Sequence, residues 1–247
     1  MGPSVLSIPS APLPGRARGT SANRAARRAV RPRPPQRPVD FDLNALRQRD
    51  RYKLLTALVV PRPIAWVTTR NADASVNAAP FSFFNVMGAA PPVVAFGPDD
   101  GPGIKDTPHN IRKTGRFVVN LVDEAVAAAM HASSGAYPRG VSEIDALGLA
   151  LADMPWGDVP RIADAPAALA CREHSTILIG RTRVVLGVVE GLYVRDGLVD
   201  AERFHVDQDA LHAVGRLGGG RYTRTDAFEL GPRPSAAEVG ERRPDPG

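Results

Sequence analysis

The sequence predicts a mainly β fold, a barrel with peripheral helices. Short runs of β-forming residues recur between residues 64 and 195, and tight turns join most of them. Helical segments are few and lie between groups of these runs. Hydrophobic residues make up 43% of the 247, enough for one sizeable core, and no run approaches the ~18 apolar residues that a membrane span needs. We therefore expect a soluble barrel domain.

Turn and breaker residues delimit the first strands of the predicted barrel. A helical stretch ends before Pro61, and a run of β-forming residues follows at 64–70 (IAWVTTR). Residues 71–73 (NAD) are typical of a turn. The strand should therefore pair with residues 76–86 (VNAAPFSFFNV) as a hairpin. Residues 92–97 (PVVAFG) predict the next strand.

The remainder of the domain mixes short helices with strands. Residues 105–115 predict a helix that ends at Gly115, because glycine readily adopts the left-handed conformation that closes many helices. The same patterns predict further strands at 116–122, 167–173, 175–180 and 182–195, and further helices at 124–132, 142–148 and 208–215.

Both ends of the chain are predicted to be disordered. Residues 1–38 are rich in Arg and Pro, residues 232–247 form a polar tail, and the folded domain is expected at 39–231. Residues 1–39 carry eight Arg and no Asp or Glu, so the net charge of +5 leaves 5 − 8 = −3 for the rest. A mildly acidic domain argues against nucleic-acid binding. A transit peptide and a DNA-binding arm are alternatives for the basic segment, and we prefer a simple extension.

The usual catalytic and metal-binding motifs are absent from the sequence. The single cysteine, Cys171, excludes an intramolecular disulfide and a cysteine metal site, and its apolar neighbours indicate a buried residue. The five His residues lack ligand spacing, so no metal is expected. There is no triad motif, Walker loop or dinucleotide fingerprint. If the protein is an enzyme, a cofactor is expected to supply the difficult chemistry.

Residues 105–110 (KDTPHN) have the features of an anion site. Thr107 can cap the predicted helix, and Pro108 suits its first position. The free N–H groups and the positive end of the helix dipole attract an anion, and Lys105 stands just before them. An ordinary capped helix with a surface lysine explains the pattern equally well.

Three other segments have residues suited to a ligand. Thr68 and Thr69 end a strand with paired hydroxyls. The stretch 76–85 (VNAAPFSFFN) combines an apolar wall with Asn and Ser groups, and its Pro removes a ladder hydrogen bond. Residues 216–222 (RLGGGRY) allow close backbone approach beside Arg and Tyr. Each also has a structural explanation, respectively an ordinary strand, an edge strand whose Phe residues fill the core, and a flexible turn.

Taken together, seven motifs carry a resemblance to a known family. They are YKLLTALVVPRPIAWVTT, NAAPFSFFN, PPVVAFG, KDTPHNI, TGRFVVNLV, SSGAYPRGVSE and RLGGGRY, and they cover roughly residues 40–230. In this order they resemble the flavin reductase-like, FMN-binding split-barrel family, in the branch that contains flavoredoxin. The resemblance implies a Greek-key split β-barrel, dimeric, with one FMN per subunit at or near the subunit interface.

The resemblance also implies a set of site residues. The phosphate and ribityl chain are expected near Thr68, Thr69, Lys105, Asp106 and Thr107. The isoalloxazine is expected near Asn77, Ser82, Phe83 and Asn85, with Arg216 and Tyr222 as further contacts. His131 and Tyr137 belong to the segment expected to cover the open face of the ring, although this family more often has Asn at the position of His131.

The implied activity is NAD(P)H-dependent flavin reduction. Hydride would pass from NADH or NADPH to flavin N5, so no catalytic triad is needed. The alternative is an FMN-binding electron carrier without direct NAD(P)H activity, because a shared fold does not guarantee a shared reaction. A homodimer in the cytoplasm is expected, with a partner monooxygenase or an electron-transfer protein as acceptor, and without nucleic acid or membrane as partner.

Overall fold

The computed structural model describes residues 38–98, 105–138, 140–232 and 235. The chain divides into two compact units, Met1–Asp42 and Leu43–Gly247. In the first unit only residues 38–42 are described, and they form no helix or strand. The tails predicted at 1–38 and 232–247 lie almost entirely outside the described residues. All the elements below belong to the second unit.

The helices are short and interrupt the series of strands. A 3-10 turn at Leu43–Ala45 precedes them. The part of the chain that the structure describes has five helices, α1 Gln48–Leu58, α2 Asp106–Thr114, α3 Ala127–Ala132, α4 Glu143–Leu147 and α5 Gln208–Leu211.

The strands carry most of the fold. They are β1 Ala65–Arg70, β2 Val76–Phe81, β3 Phe84–Ala89, β4 Pro92–Phe96, β5 Arg116–Asn120, β6 Leu151–Ala152, β7 Arg161–Ile162, β8 Ala167–Ile179, β9 Thr182–Val194, β10 Val199–Asp200, β11 His205–Val206, β12 Val214–Arg216 and β13 Tyr222–Arg224.

Seven strands form one antiparallel sheet in the order β2-β1-β5-β8-β9-β4-β3. The two edge strands, β2 and β3, are consecutive in sequence, so the short link at Ser82 and Phe83 brings the two edges together. Across this junction the Gly97 N–H donates to the Phe83 carbonyl at 2.7 Å, and the Phe81 and Phe96 rings lie 5.1 Å apart. No ladder joins β2 to β3 within the described part of the chain. The predicted split barrel is confirmed.

Strand β1 is buried on both faces from Ala65 to Thr69, and its first three residues are apolar. Ala65 and Val67 point into a cluster inside the barrel, whereas Ile64 and Trp66 belong to a second cluster that includes residues of α3 and α4. Alternate residues of a strand point to opposite faces, so the part of β1 that lies between the two cores has apolar side chains at successive positions. Cys171 lies inside the barrel, and burial raises the pKa of its thiol to about 12.

Two of the predicted strand boundaries are wrong. The run 76–86 is two strands, because the chain bends at Ser82 and Phe83 and crosses from one edge of the sheet to the other. The runs 167–173 and 175–180 are one strand, since a register shift between Glu173 and Ser175 accommodates His174 without ending the pairing with β9.

Two predicted helices are shorter than expected. Helix α3 begins at Ala127 because the Val126 N–H is bonded to the Asp123 carboxylate in a preceding turn. Helix α5 ends at Leu211, where His212 takes a left-handed conformation with φ of 48°. The end of α2 agrees with the prediction, since Gly115 is left-handed and its N–H bonds to the carbonyl of Ile111.

Candidate functional site

A cavity of about 650 Å³ opens beside the outer edge of β2. One wall is formed by Asn77, Pro80 and Phe81, and another by the first turn of α2. The loop after α3, at 133–137, closes a third side. The cavity is therefore built from three segments that the sequence analysis had singled out separately.

The first turn of α2 gives the cavity a pole suited to anions. Lys105, Asp106 and Thr107 all line it. Lys105 occupies the N-cap position in an extended conformation, and its side chain makes no capping hydrogen bond. Pro108 is the third residue of the helix. The prediction that Thr107 caps the helix and that Pro108 is its first residue is therefore wrong. The first N–H groups of α2 still have no acceptor within the helix, as in any α-helix. The Asp106 carboxylate accepts a hydrogen bond from the Gly140 N–H at 3.1 Å.

A buried amide network fixes the hydroxyl of Thr107. Asn77 Nδ2 donates to Thr107 Oγ1 at 2.9 Å and to Thr69 Oγ1 at 3.4 Å. Asn110 Nδ2 donates to the same Thr69 oxygen at 3.1 Å and to Asn71 Oδ1 at 2.7 Å. Because the Thr107 oxygen accepts a bond, its own proton is available to donate to a group in the cavity.

The two threonines at the end of β1 are fully buried and do not line the cavity. Thr69 reaches it indirectly, through Asn77. Thr68 donates to the Pro160 carbonyl at 2.7 Å and accepts from Asn120 Nδ2 at 3.4 Å. Their predicted contact with a ligand stays a prediction, and their present partners give both a role in holding neighbouring strands.

The outer edge of β2 is covered by α4 up to the point where the cavity begins. The Ser142 hydroxyl donates to the Val76 carbonyl at 2.7 Å, and Glu143 Oε2 accepts from the Ala78 N–H at 2.9 Å. The Glu143 side chain also lines the cavity. Burial raises the pKa of its carboxyl above the usual range, and the nearby charge of Asp106 adds to this effect. Two residues further along, Pro80 has no N–H to offer on this edge.

A smaller cavity of about 180 Å³ shares Pro80, Phe81 and Ser134 with the larger one. The predicted residues Ser82, His131, Arg216 and Tyr222 line it. His131 Nδ1 lies 3.0 Å from the Tyr222 hydroxyl, and the Arg216 guanidinium lies 4.5 Å from the centre of the Tyr222 ring. The two cavities thus form one continuous surface along the end of β2.

Phe83 and Asn85 lie on a different surface from the other predicted residues. Both line a separate cavity of about 280 Å³ between β3, β4 and β9. Phe83 is 46% exposed and its ring centre lies 6.1 Å from that of Tyr52. Asn85 Oδ1 accepts from the N–H of its neighbour Val86 at 2.8 Å. Within one chain, the structure does not bring these two residues to the cavities beside β2.

Glu143 was not among the residues that the sequence predicted for the site, although it lines the larger cavity. Glutamate is rarely buried, so the local sequence GVSE gave no indication that Glu143 differs from a surface residue. Tyr137 was identified and does line the larger cavity. Across the described residues, no group of three or more His, Cys, Asp and Glu side chains could hold a metal ion. No helix in that part of the chain is long and apolar enough to cross a membrane.

Comparison with known protein families identifies the family to which this chain belongs. Residues 57–215 match the family described as Flavin reductase like domain. The chain belongs to the flavin reductase-like family. The resemblance drawn from the seven motifs is therefore confirmed, and the cavities beside β2 are those of a flavin reductase-like protein.

Three relatives illustrate the range of this flavin reductase-like family. An uncharacterized protein of Deinococcus radiodurans is 55% identical over 77% of this chain and 88% of its own length. The 2-nitrobenzoate 2-nitroreductase of Pseudomonas fluorescens is 38% identical, with a TM-score of 0.74 over 80% of this chain and 100% of that one. Nitrilotriacetate monooxygenase component B of Bacillus cereus is 28% identical, with a TM-score of 0.76 over 79% and 100%.

The flavoredoxin of Desulfovibrio vulgaris also shares the fold, with a TM-score of 0.63 at 19% identity over 81% of this chain and 100% of that one. At this identity the likeness concerns the fold alone. The flavin reductase-like split barrel therefore accommodates proteins that are named for quite different roles.

Proposed function

We propose that the protein binds FMN and acts as an NAD(P)H-dependent flavin oxidoreductase. The observation that carries the proposal is the continuous pair of cavities beside β2, in which Lys105 and the Thr107 hydroxyl lie at the first turn of α2 and Pro80 and Phe81 form an apolar wall. FMN has a matching shape, with an anionic phosphate at one end and a flat apolar ring at the other.

The phosphate is proposed to lie at the first turn of α2. Lys105 contributes a positive charge, and the Thr107 hydroxyl keeps a proton to donate because Asn77 bonds to its oxygen. Charge-assisted hydrogen bonds of this kind are stronger than neutral ones. Asp106 is proposed to act by positioning the loop at Gly140, since a carboxylate in direct contact with a phosphate would repel it. Asn77 Oδ1 has no partner among the described residues and can accept a bond from the ribityl chain.

The ring is proposed to lie along the outer edge of β2, from Ala79 to Ser82. Because β2 is an edge strand and the chain bends after Phe81, the outward backbone groups here have no strand partner among the described residues and can bond the polar edge of the ring. A bound flavin would supply the redox chemistry by accepting hydride from a nicotinamide. His131, Tyr137, Arg216 and Tyr222 border the remaining space and are assigned to the side of the second reactant.

The test of FMN binding compares two lysines of the same helix segment. Lys105→Gln should raise the dissociation constant for FMN by about tenfold or more, because a charged hydrogen bond of about 1.5–3 kcal/mol is lost. Lys113→Gln removes the same charge at the exposed far end of α2 and should have little effect. Quenching of flavin fluorescence gives both constants. Equal effects of the two substitutions would contradict the proposed phosphate site.

The electron donor is tested by anaerobic titration of the FMN-loaded protein with NADH and NADPH. Loss of the visible flavin absorbance with either donor supports the reductase. A protein that holds FMN and is bleached by neither donor would instead be an electron carrier, the alternative role. Among relatives, one is named a nitroreductase and another a monooxygenase component, so the acceptor is proposed to be either a small molecule or a partner monooxygenase.

A homodimer is proposed from the exposed apolar residues of β3 and of the β8–β9 hairpin. Val86 and Met87 are more than half exposed, as are Leu178 and Ile179 at the hairpin end. A second copy covering this surface would also bury Phe83 and Asn85, the two predicted residues that lie outside the cavities of their own chain. Light scattering on a sizing column should give twice the mass of one chain, and Met87→Glu with Leu178→Glu should give the single mass. Location in the cytoplasm stays a prediction.

A further inference from the structure

One buried carboxyl group lines the larger cavity and has no part in the FMN site proposed above. Glu143 is 8% exposed, and its side chain borders the cavity beside β2. Its Oε2 accepts from the Ala78 N–H at 2.9 Å, and Ala78 lies fully buried in a strand that pairs with β1 along its whole length. The carboxyl is thus anchored to a fixed point of the sheet. It cannot turn away from a ligand without leaving that N–H unpaired.

Four titratable side chains line the larger cavity among the described residues. They are Lys105 and Asp106 at the first turn of α2, Tyr137 in the loop after α3, and Glu143 of α4. The other acid of α4, Asp145, is exposed and does not line the cavity. With both acids ionised, the lining has one positive and two negative charges, a net charge of −1. This charge opposes the entry of an anionic group.

The two acids of the cavity differ in their access to water. Asp106 is half-buried and accepts from the Gly140 N–H. Glu143 is shielded from water, and burial raises the pKa of its carboxyl. The charge of Asp106 acts in the same direction, against two backbone hydrogen bonds that favour the ionised form. Glu143 is therefore the acid that responds most readily when its surroundings become more negative.

A bound FMN would make the surroundings of Glu143 both more negative and drier. A phosphate monoester carries about −1.5 to −2 charges at pH 7, and Lys105 can offset only one of them. A flavin that fills the cavity also displaces the water that screens these charges from one another, and charges interact more strongly where water is excluded. Both effects disfavour an ionised carboxyl at the wall of the cavity.

We propose that Glu143 takes up one proton from solvent when FMN binds, and that it remains in the complex as a neutral acid. The proton goes to Oε1, because Oε2 keeps its bond from the Ala78 N–H. The cavity thereby loses one negative charge, and the side chain retains its hold on β2. The inference rests on the proposed function for the identity of the ligand, and it adds a regulation of that site by pH.

The affinity for FMN should consequently fall as the pH rises. The favourable contribution of the proton is fully present below the pKa of Glu143 in the free protein. It is lost as the pH rises through the higher pKa in the complex. Between these two values the uptake of one proton raises the dissociation constant by at most about tenfold per pH unit.

The experiment measures FMN binding to the full-length protein by titration calorimetry between pH 6 and pH 8.5. Each titration is repeated in two buffers with different enthalpies of ionisation, which gives the number of protons taken up with each FMN. The variants are Glu143→Gln, which keeps an acceptor oxygen without the charge, and Asp106→Asn, which removes the other acid. The control is Asp145→Asn, which removes an exposed charge from the same helix.

The difference between the wild type and Glu143→Gln isolates the proton on Glu143. It is needed because the FMN phosphate, with a second pKa of about 6, can itself lose a proton on binding. The wild type should take up more protons than Glu143→Gln. Its dissociation constant, divided by that of Glu143→Gln, should rise by about threefold or more from pH 6 to pH 8.5. Asp145→Asn should follow the wild type, and Asp106→Asn should reduce the uptake without removing it.

Two results would overturn the inference. One is an equal proton uptake and an equal pH dependence in the wild type and Glu143→Gln, and the other is an uptake that Asp106→Asn alone removes. If Glu143→Gln does not fold, infrared difference spectra of the wild type decide. Adding FMN within this pH range should produce the carbonyl band of a protonated carboxyl, and a spectrum without that band contradicts the inference.

The two levels of the proposal fail in different ways. Binding of FMN without proton uptake by Glu143 would contradict the inference and leave the proposed function intact. A protein that binds no FMN at any pH would contradict both.

Discussion

Replacing Glu143 tests whether one buried carboxylate holds the free edge of β2. On the inner edge, β1 pairs with β2 along its whole length. On the outer edge, Glu143 accepts from the Ala78 N–H at 2.9 Å and the Ser142 hydroxyl donates to the Val76 carbonyl at 2.7 Å. Glu143→Ala removes one of these two bonds, whereas Glu143→Gln keeps an acceptor oxygen and removes only the charge.

The two substitutions should affect stability differently. In Glu143→Ala the Ala78 N–H loses its partner, which costs about 1–3 kcal/mol. For a domain of this size, each kcal/mol lowers Tm by about 2–4 °C. Burial raises the pKa of Glu143 in the folded protein. Its contribution to stability is therefore fully present below the pKa of the unfolded chain and is lost as the pH rises through the folded pKa. Glu143→Gln should gain on the wild type as the pH rises.

The assay is thermal unfolding followed by circular dichroism between pH 4 and pH 8. Glu202→Gln serves as the control, since this side chain is exposed and its loss should change Tm equally little at every pH. The difference in Tm between Glu143→Gln and the wild type should grow from pH 4 to pH 8. A difference that stays constant with pH, or a Glu143→Ala variant as stable as Glu143→Gln, would refute the reasoning.

Three further predictions concern the proposed phosphate site, the barrel core and the thiol of Cys171. Thr107→Val should weaken FMN binding by about tenfold without unfolding the protein, measured by fluorescence quenching. Gly187→Ala would place a Cβ 2.4 Å from Phe117 Cζ in the core and should cost at least about 1–3 kcal/mol in urea unfolding, whereas Gly220→Ala, with no atom within 4 Å, should cost far less. Cys171, whose pKa burial raises to about 12, should resist a disulfide reagent at pH 8 until urea is added; rapid labelling of the native protein would contradict its placement.

The sequence predicted those features of the fold that depend on local patterns. The β-forming residues at 64–70 predicted a strand, and β1 forms there between two cores. Gly115 ended α2 as expected, because the left-handed cap is a property of one residue and its neighbours. The first turn of α2 lines the larger cavity, as a ligand site there would need, but anion binding stays a prediction and the residue at the cap position was assigned wrongly.

Features set by distant contacts could not be predicted in the same way. The stretch 76–86 has the composition of one strand, and it is divided only because β2 and β3 occupy opposite edges of a sheet that curls back on itself. The placement of Phe83 and Asn85 follows from that division. The burial of Glu143 depends on the unpaired edge of β2, which the letters of GVSE do not reveal.

Hydrogen-bond capacity separates the polar residues that hold the fold from those that remain for a ligand. Asn120 donates to the Trp66 carbonyl and the Thr68 hydroxyl and accepts from the Ile162 N–H, and so joins three strands. It lines neither of the cavities beside β2. Sequence patterns cannot distinguish such a residue from one that binds a ligand, because both are polar residues in apolar strands.

Thr107 differs from Asn120 in one respect. Its oxygen accepts from the amide of Asn77, and none of the described residues accepts its own proton. A donor fixed in place before the ligand arrives loses little entropy on binding, so this hydroxyl should contribute more affinity than the flexible side chains around it. The larger cavity therefore has a preorganised donor at the first turn of α2, where the phosphate of the proposed cofactor would lie.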